Sequence, residues 1–171
     1  MESTSLTSAA IYTDGSCHTQ YKVGAWVAIL LFTGERSSGE QHRQLLSGTV
    51  SDTTHNRMEL TAVIKALEYI RENHQEITTL TICSDSQYVI GLPAREEKMA
   101  GNGFTGKKGK ELPNADLVKK LLGYSRSFIL EFVKIKAHQK KNGVLNYNIE
   151  ADLLSRKLVR AAVIPYTTGL S

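Results

Sequence analysis

Between Val23 and Phe32 the chain runs VGAWVAILLF, an almost unbroken series of apolar, β-favouring residues that predicts a buried-type strand. A shorter apolar strand is predicted at Ala9 to Thr13, broken by Asp14-Gly15-Ser16, and a weaker one at Gly39 to Ser47. Gly34 and Ser37-Ser38-Gly39 mark the turn between the last two, so the three strands read as an antiparallel meander. From Thr54 the period lengthens. Met58, Ala62, Val63, Ala66, Leu67 and Ile70 share one helical face, while Arg57, Lys65, Glu68 and Glu72 fall on others. Leu80 to Ser84 returns to strand, Ser86 opens a brief helix that Pro93 disturbs, and Gly101 to Pro113 is a Gly/Lys-rich loop. Asn114 or the residue before it caps a helix to about Tyr124. Phe128 to Lys136 is a further buried-type strand, ahead of a loop around His138 and an amphipathic helix from about Ile149 to Ala162. A hairpin-first sheet that continues strand, helix, strand, helix is an α/β fold, a mixed sheet with helices on its faces.

The length of 171 residues fits one folded domain, expected over residues 9–163, between a flexible segment at 1–8 and a polar, mobile tail at 164–171. No run of eighteen apolar residues is present, which argues against a membrane partner. The opening MESTSLTS lacks the basic start and apolar centre of a secretory signal, so a cytoplasmic or otherwise intracellular setting is expected. Cys17 and Cys83 lie far apart with no CxxC or Cys/His cluster, and read as reduced thiols rather than zinc ligands. The net charge of +4 is modest, but cations gather late, at Lys107, Lys108 and Lys110, at Lys119 and Lys120, and from Lys134 to Lys141. Such clusters neutralise phosphates, or simply solvate a surface.

Four acids stand where a predicted strand ends or a helix begins: Asp14 in YTDGSC, Glu59 in NRMEL, Asp85 in SDSQYV and Asp152 in EADLLSR. Taken singly, each has a structural explanation as a helix-start acid or an Asx turn. Brought together, they would concentrate negative charge that only cations neutralise. With oxygen ligands alone on offer, the implied metals are Mg2+ or, as a substitute, Mn2+, rather than zinc.

These four signatures, in this order and with a histidine loop before the last, resemble type 1 ribonuclease H, in cellular or reverse-transcriptase-associated form, over roughly Ala10 to Arg160. The resemblance implies the ribonuclease H-like fold, a five-stranded mixed sheet with helices on both faces, with residues 9–163 as the catalytic domain. It also implies an endonuclease that hydrolyses the RNA strand of an RNA/DNA hybrid with two Mg2+ ions, leaving 5′-phosphate and 3′-hydroxyl ends. By the same resemblance Asp14 bridges both ions, Asp152 completes the water-activating site, Glu59 and Asp85 hold the second ion, and His138 relays protons or assists release. Implied substrate contacts are Gln20, Thr54, His55, Asn56, Phe104, Lys107, Lys108 and Asn114.

Several positions depart from the family pattern. His55 stands where an amide is usual, and Asp52 where an arginine commonly helps Thr54 and Asn114 grip a phosphate. The segment from Gly91 to Asp116 has the length of the family's basic protrusion but none of its tryptophans, leaving Phe104 to stack; Trp26, in a strand, reads as packing. Ile149 replaces a glutamate, and Glu150, one residue on, is expected to compensate for it. Two rivals accompany the leading reading: a DNA-cutting or strand-transferring nuclease of the integrase or resolvase kind, and a catalytically silent hybrid- or partner-binding domain. NRMEL and SDSQYV argue against the first, and four retained acids against the second. A reverse transcriptase is an expected partner if the domain belongs to a larger polyprotein.

Overall fold

The computed structural model describes residues 6–34, 42–136 and 146–169. Alternation along β2 (Val23–Gly34) organises its centre. Ala28, Leu30 and Phe32 turn to one side, into a cluster with Leu60, Val63, Ile64, Leu67 and Ile70 of α1 (His55–Asn73). Val27, Ile29 and Leu31 turn to the other, onto Ala151, Leu154 and Leu158 of α5 (Tyr147–Thr168). Successive strand residues face opposite ways, so a strand covered on both faces must be apolar throughout.

Five strands form one sheet in the order β3-β2-β1-β4-β5, adding β1 (Leu6–His18), β3 (His42–Val50), β4 (Thr79–Ser84) and β5 (Ile129–Lys134). β1, β2 and β3 are antiparallel neighbours, whereas β4 and β5 run parallel to β1. This is the predicted mixed sheet with helices on both faces. Between β4 and β5 the chain forms α2 (Gln87–Ile90), α3 (Leu92–Gly101) and α4 (Ala115–Tyr124), with a short 3-10 turn at Lys107–Gly109. Among the described residues no helix is long and apolar enough to cross a membrane.

Several expectations are corrected. β1 does not break at Asp14: its ladder with β2 continues to the His18–Val23 pair, while its ladder with β4 stops at Tyr12 and Cys83. Asp14 thus lies just past the parallel ladder but within a strand that β2 still supports. The predicted strand at Phe128 to Lys136 is not buried. β5 is an edge strand whose Phe128, Leu130 and Phe132 side meets the α1 core, while Ile129 and Val133 are 69% and 38% exposed on the other. Pro93 starts a helix more than it disturbs one, because in the first turn its missing N–H has no acceptor to lose. Asn114 does not cap α4 with its side chain; its backbone is left-handed (φ 62°).

The first strand and the last helix also reach further than expected. Leu6 and Ser8 already pair with Gly34 and Thr33, so part of the expected N-terminal segment belongs to the sheet. α5 begins at Tyr147, before Ile149, and runs past Ala162 through Pro165 to Thr168, where Gly169 (φ 68°) turns left-handed. The extra length has a partner: Tyr166 stacks on Tyr21 at 5.5 Å between ring centroids.

Candidate active site

Each acid reaches the site through a local device. Asp14 is 4% exposed, and its Oδ2 accepts a hydrogen bond from the buried Ser155 hydroxyl of α5. The next residue must face the opposite way, toward α1, and it is Gly15. A Cβ there would lie 2.4 Å from the Glu59 nitrogen and 2.6 Å from the Met58 carbonyl carbon. Only glycine lets the α1 backbone touch the strand, and this contact brings Glu59 beside Asp14. The start of α1 is set by Thr54, whose hydroxyl accepts from the Arg57 N–H, and by Arg57, which grips Asp116 with two hydrogen bonds of 2.9 and 2.8 Å.

Asp85 stands directly after β4, between two serines that shape the turn. The Ser84 hydroxyl accepts from the Ser86 N–H, and the Ser86 hydroxyl caps α2 by accepting from the Val89 N–H. Asp152 lies in the second turn of α5 rather than the first. That helix is capped by Asn146, which accepts from the Asn148 and Ile149 N–H groups, and is tied to β3 by the Arg43–Glu150 ion pair. Glu150 is thereby engaged away from the acids, so its expected compensation for Ile149 is corrected to a tether. Arg156 donates to Asp152 at 3.0 Å, an i,i+4 pair.

Asp14, Glu59 and Asp85 each offer a carboxylate oxygen within 4.8 Å of the others. Asp152 joins them in lining a cleft of about 460 Å³, together with His55, Ser86 and Arg156. His138 lies outside the described residues. Burial, reinforced by the Glu59 carboxylate and opposed by the Ser155 hydrogen bond, pushes the Asp14 carboxyl up to about 8. Burial also raises Glu59, against the stabilising hydrogen bond from His55, whose Nε2 lies 3.3 Å from Oε1. The same bond raises His55 above an ordinary imidazole. The second oxygen of Glu59, 1% exposed as a residue, has no hydrogen-bond partner among the described residues. A buried unpaired carboxylate oxygen is costly, and two carboxylates in mutual repulsion are costlier. A hard divalent cation, coordinated by oxygen, answers both, so the residues fit such an ion.

Residues 7–160 match the model of the family described as RNase H. The chain belongs to the RNase H family. It is similar to the Ribonuclease H of Prosthecochloris aestuarii, 34% identical over 152 residues that cover 88% of this chain and 94% of the relative. The Ribonuclease H of Wolbachia sp. subsp. Drosophila simulans is 33% identical over 151 residues, covering 88% and 94%. Among solved structures, LC9-RNase H1, a type 1 RNase H with the type 2 active-site motif, superposes with a TM-score of 0.77 at 21% identity, covering 91% of this chain and 73% of its own. The foamy viral protease-reverse transcriptase in complex with RNA/DNA hybrid gives a TM-score of 0.63 at 21% identity, covering 87% of this chain and 19% of that one. These structural likenesses share the fold. RNase H family members are nucleases, and the acidic cleft lies within the matched residues.

The other predicted site residues do not gather in one place. His55 lines the acidic cleft. Asn56, Phe104, Lys107 and Asn114 line a second, larger groove, and the exposed Lys108 sits beside it on the 3-10 turn. Gln20 is exposed in the β1–β2 turn, outside both. Thr54 and Asn114 are already used structurally, Thr54 as a helix cap and Asn114 in bonds with Tyr88 and Arg57. Sequence reasoning missed Ser155 and Arg156. The Asp152–Arg156 spacing was a usable signal, whereas nothing local marks Ser155, whose partner is 141 residues away.

Proposed function

We propose that this chain is an endonuclease that hydrolyses the RNA strand of RNA/DNA hybrids, with Asp14, Glu59, Asp85 and Asp152 holding two Mg2+ ions. The observation that carries the reading is the convergence of three carboxylates within 4.8 Å, with one buried oxygen left unpartnered among the described residues. When bound, the ions would supply an activated water and neutralise the oxygen that leaves, for in-line hydrolysis to 5′-phosphate and 3′-hydroxyl ends. The protein's own groups prepare for this. Ser155 occupies one oxygen of Asp14 and His55 one oxygen of Glu59, which orients both carboxylates toward the cleft. Arg156 is a cation on the cleft wall, suited to a phosphodiester. His138, by its place in the chain, is proposed as a mobile proton relay. A solved relative of the same fold was captured with an RNA/DNA hybrid, which supports that substrate class here.

The test is cleavage of an end-labelled hybrid in Mg2+, beside matched duplex RNA and duplex DNA. The hybrid should be cut in its RNA strand alone, and Asp14→Asn should abolish the cut while folding normally. Equal cleavage of duplex DNA, or an active Asp14→Asn, would overturn the reading.

A further inference from the structure

The turn between β1 and β2 is held by two separate segments, and one of them is the far end of α5. Tyr21 stacks on His18 with ring centroids 4.9 Å apart, and its N–H donates to His18 Nδ1 at 3.4 Å. Tyr21 also stacks on Tyr166, at 5.5 Å and an inclination of 26°. The second hold comes from the connection between β3 and α1. The carbonyl of Lys22, a left-handed residue (φ 52°), accepts from the Thr53 N–H at 3.0 Å, and the Cys17 thiol donates to the Thr53 carbonyl at 3.5 Å.

The packing of α5 on the sheet does not require its last turn. Val159 and Val163 already close the apolar contact with Val23 and Ala25, whereas Ile164 and Tyr166 are exposed. A helix end with so little beneath it ordinarily frays, and Pro165 removes one of its hydrogen bonds. Yet the helix continues to Thr168, with the Thr167 and Thr168 hydroxyls both donating to the Ile164 carbonyl at 3.0 Å. What the extra turn reaches is Tyr21.

The turn so held borders the acidic cleft. Ser16 lines that cleft, and the strand that carries Asp14 ends at His18, about 13 Å further on at the rise of an extended chain. A paired nucleic acid is far wider than a cleft of about 460 Å³, so one seated with a phosphodiester at the acids lies across the rim as well. There the turn exposes a hydroxyl, an amide and an ammonium, on Thr19, Gln20 and Lys22. Such groups hydrogen-bond sugars and phosphates, and a turn already fixed by stacking loses less freedom on binding than a loose one. Resting on the proposed hybrid substrate, we propose that Tyr166 is a positioning residue that acts through Tyr21 to hold the β1–β2 turn in its substrate-meeting form. One helix then serves the site twice, with Asp152 near its start and the aromatic clamp at its end.

The experiment measures hybrid binding with Ca2+ in place of Mg2+, then cleavage in Mg2+, for wild type, Tyr166→Ala, Tyr166→Phe, Gln20→Ala and the variant with both alanines. Tyr166→Ala should weaken binding and raise KM about three- to tenfold, the worth of one aromatic pair, with kcat unchanged. Tyr166→Phe keeps the ring and should restore both values. In the Gln20→Ala background, Tyr166→Ala should cost little more, because the two act through one turn. Amide hydrogen exchange from Thr19 to Lys22 should quicken in Tyr166→Ala, a readout that needs neither metal nor substrate. Unchanged affinity in Tyr166→Ala would overturn the proposal, as would a loss fully additive with Gln20→Ala or a phenylalanine variant as weak as the alanine one. A wild type that cuts the hybrid while Tyr166→Ala matches it overturns this inference alone. A wild type that neither binds nor cuts the hybrid sinks the proposed function, and this inference with it.

Discussion

The acidic cleft and the basic groove carry opposite charge, and they hold it in opposite ways. In the cleft, Asp14 and Glu59 are all but removed from solvent, beside one another, with Glu59 left one bond short. In the groove, Lys98 and Lys107 are exposed, where a charge costs almost nothing. A buried like-charge cluster persists only if something else requires it, so its position is evidence of function. An exposed lysine makes no such statement.

The contrast predicts where substitutions hurt. Gly15→Ala should have the largest effect, because the added methyl meets the α1 backbone at Glu59 and Met58 rather than a side chain that can move. Overpacking of this kind costs roughly 1–3 kcal/mol, and displacement of Glu59 should remove most Mg2+-dependent cleavage, read by chemical denaturation and a hybrid assay. Ser155→Ala should act more narrowly. Loss of the hydroxyl that orients Asp14 should weaken Mn2+ binding by about 10–100-fold in a calorimetric titration. An unchanged affinity would mean that Ser155 merely fills space.

On the cationic side the effect is smallest. Lys107, Lys108 and Lys110 changed together to alanine should flatten the salt dependence of hybrid binding, each lost phosphate contact removing about 0.9 from the slope of log K against log salt. Stability and the rate at saturating substrate should scarcely move, since all three are exposed and none lines the cleft. A parental slope would leave the loop as solvated surface.

The same contrast decides what was legible in the sequence. β2 and the buried face of α1 were readable because burial imposes a period, and the four acids because each interrupts an apolar pattern. β5 was misjudged: its Phe128, Leu130 and Phe132 alternate with Ile129, Glu131 and Val133, and only the first set is covered. α3 was missed because its polar composition and Pro93 resemble a loop until the proline is placed in the first turn. The Ser155–Asp14 bond and the approach of α1 to Gly15 depend on distant chain segments meeting, and no local pattern encodes that.

The most direct measurement is the thermal stability of the metal-free chain against pH, for wild type and Asp14→Asn, with and without Mg2+. The Asp14 carboxyl is raised from 3.8 to about 8 in the folded chain, so between those values the folded state keeps a proton that the unfolded chain has released. Its contribution to stability is therefore present below the lower value and lost as pH rises to the upper one. The burial-raised Glu59 and the paired His55 shift in the same direction. Wild type should lose stability relative to Asp14→Asn across this window and regain it when Mg2+ is added, while the variant changes less with either. Two parallel curves, neither moved by Mg2+, would contradict a cluster of carboxylates assembled to hold a cation.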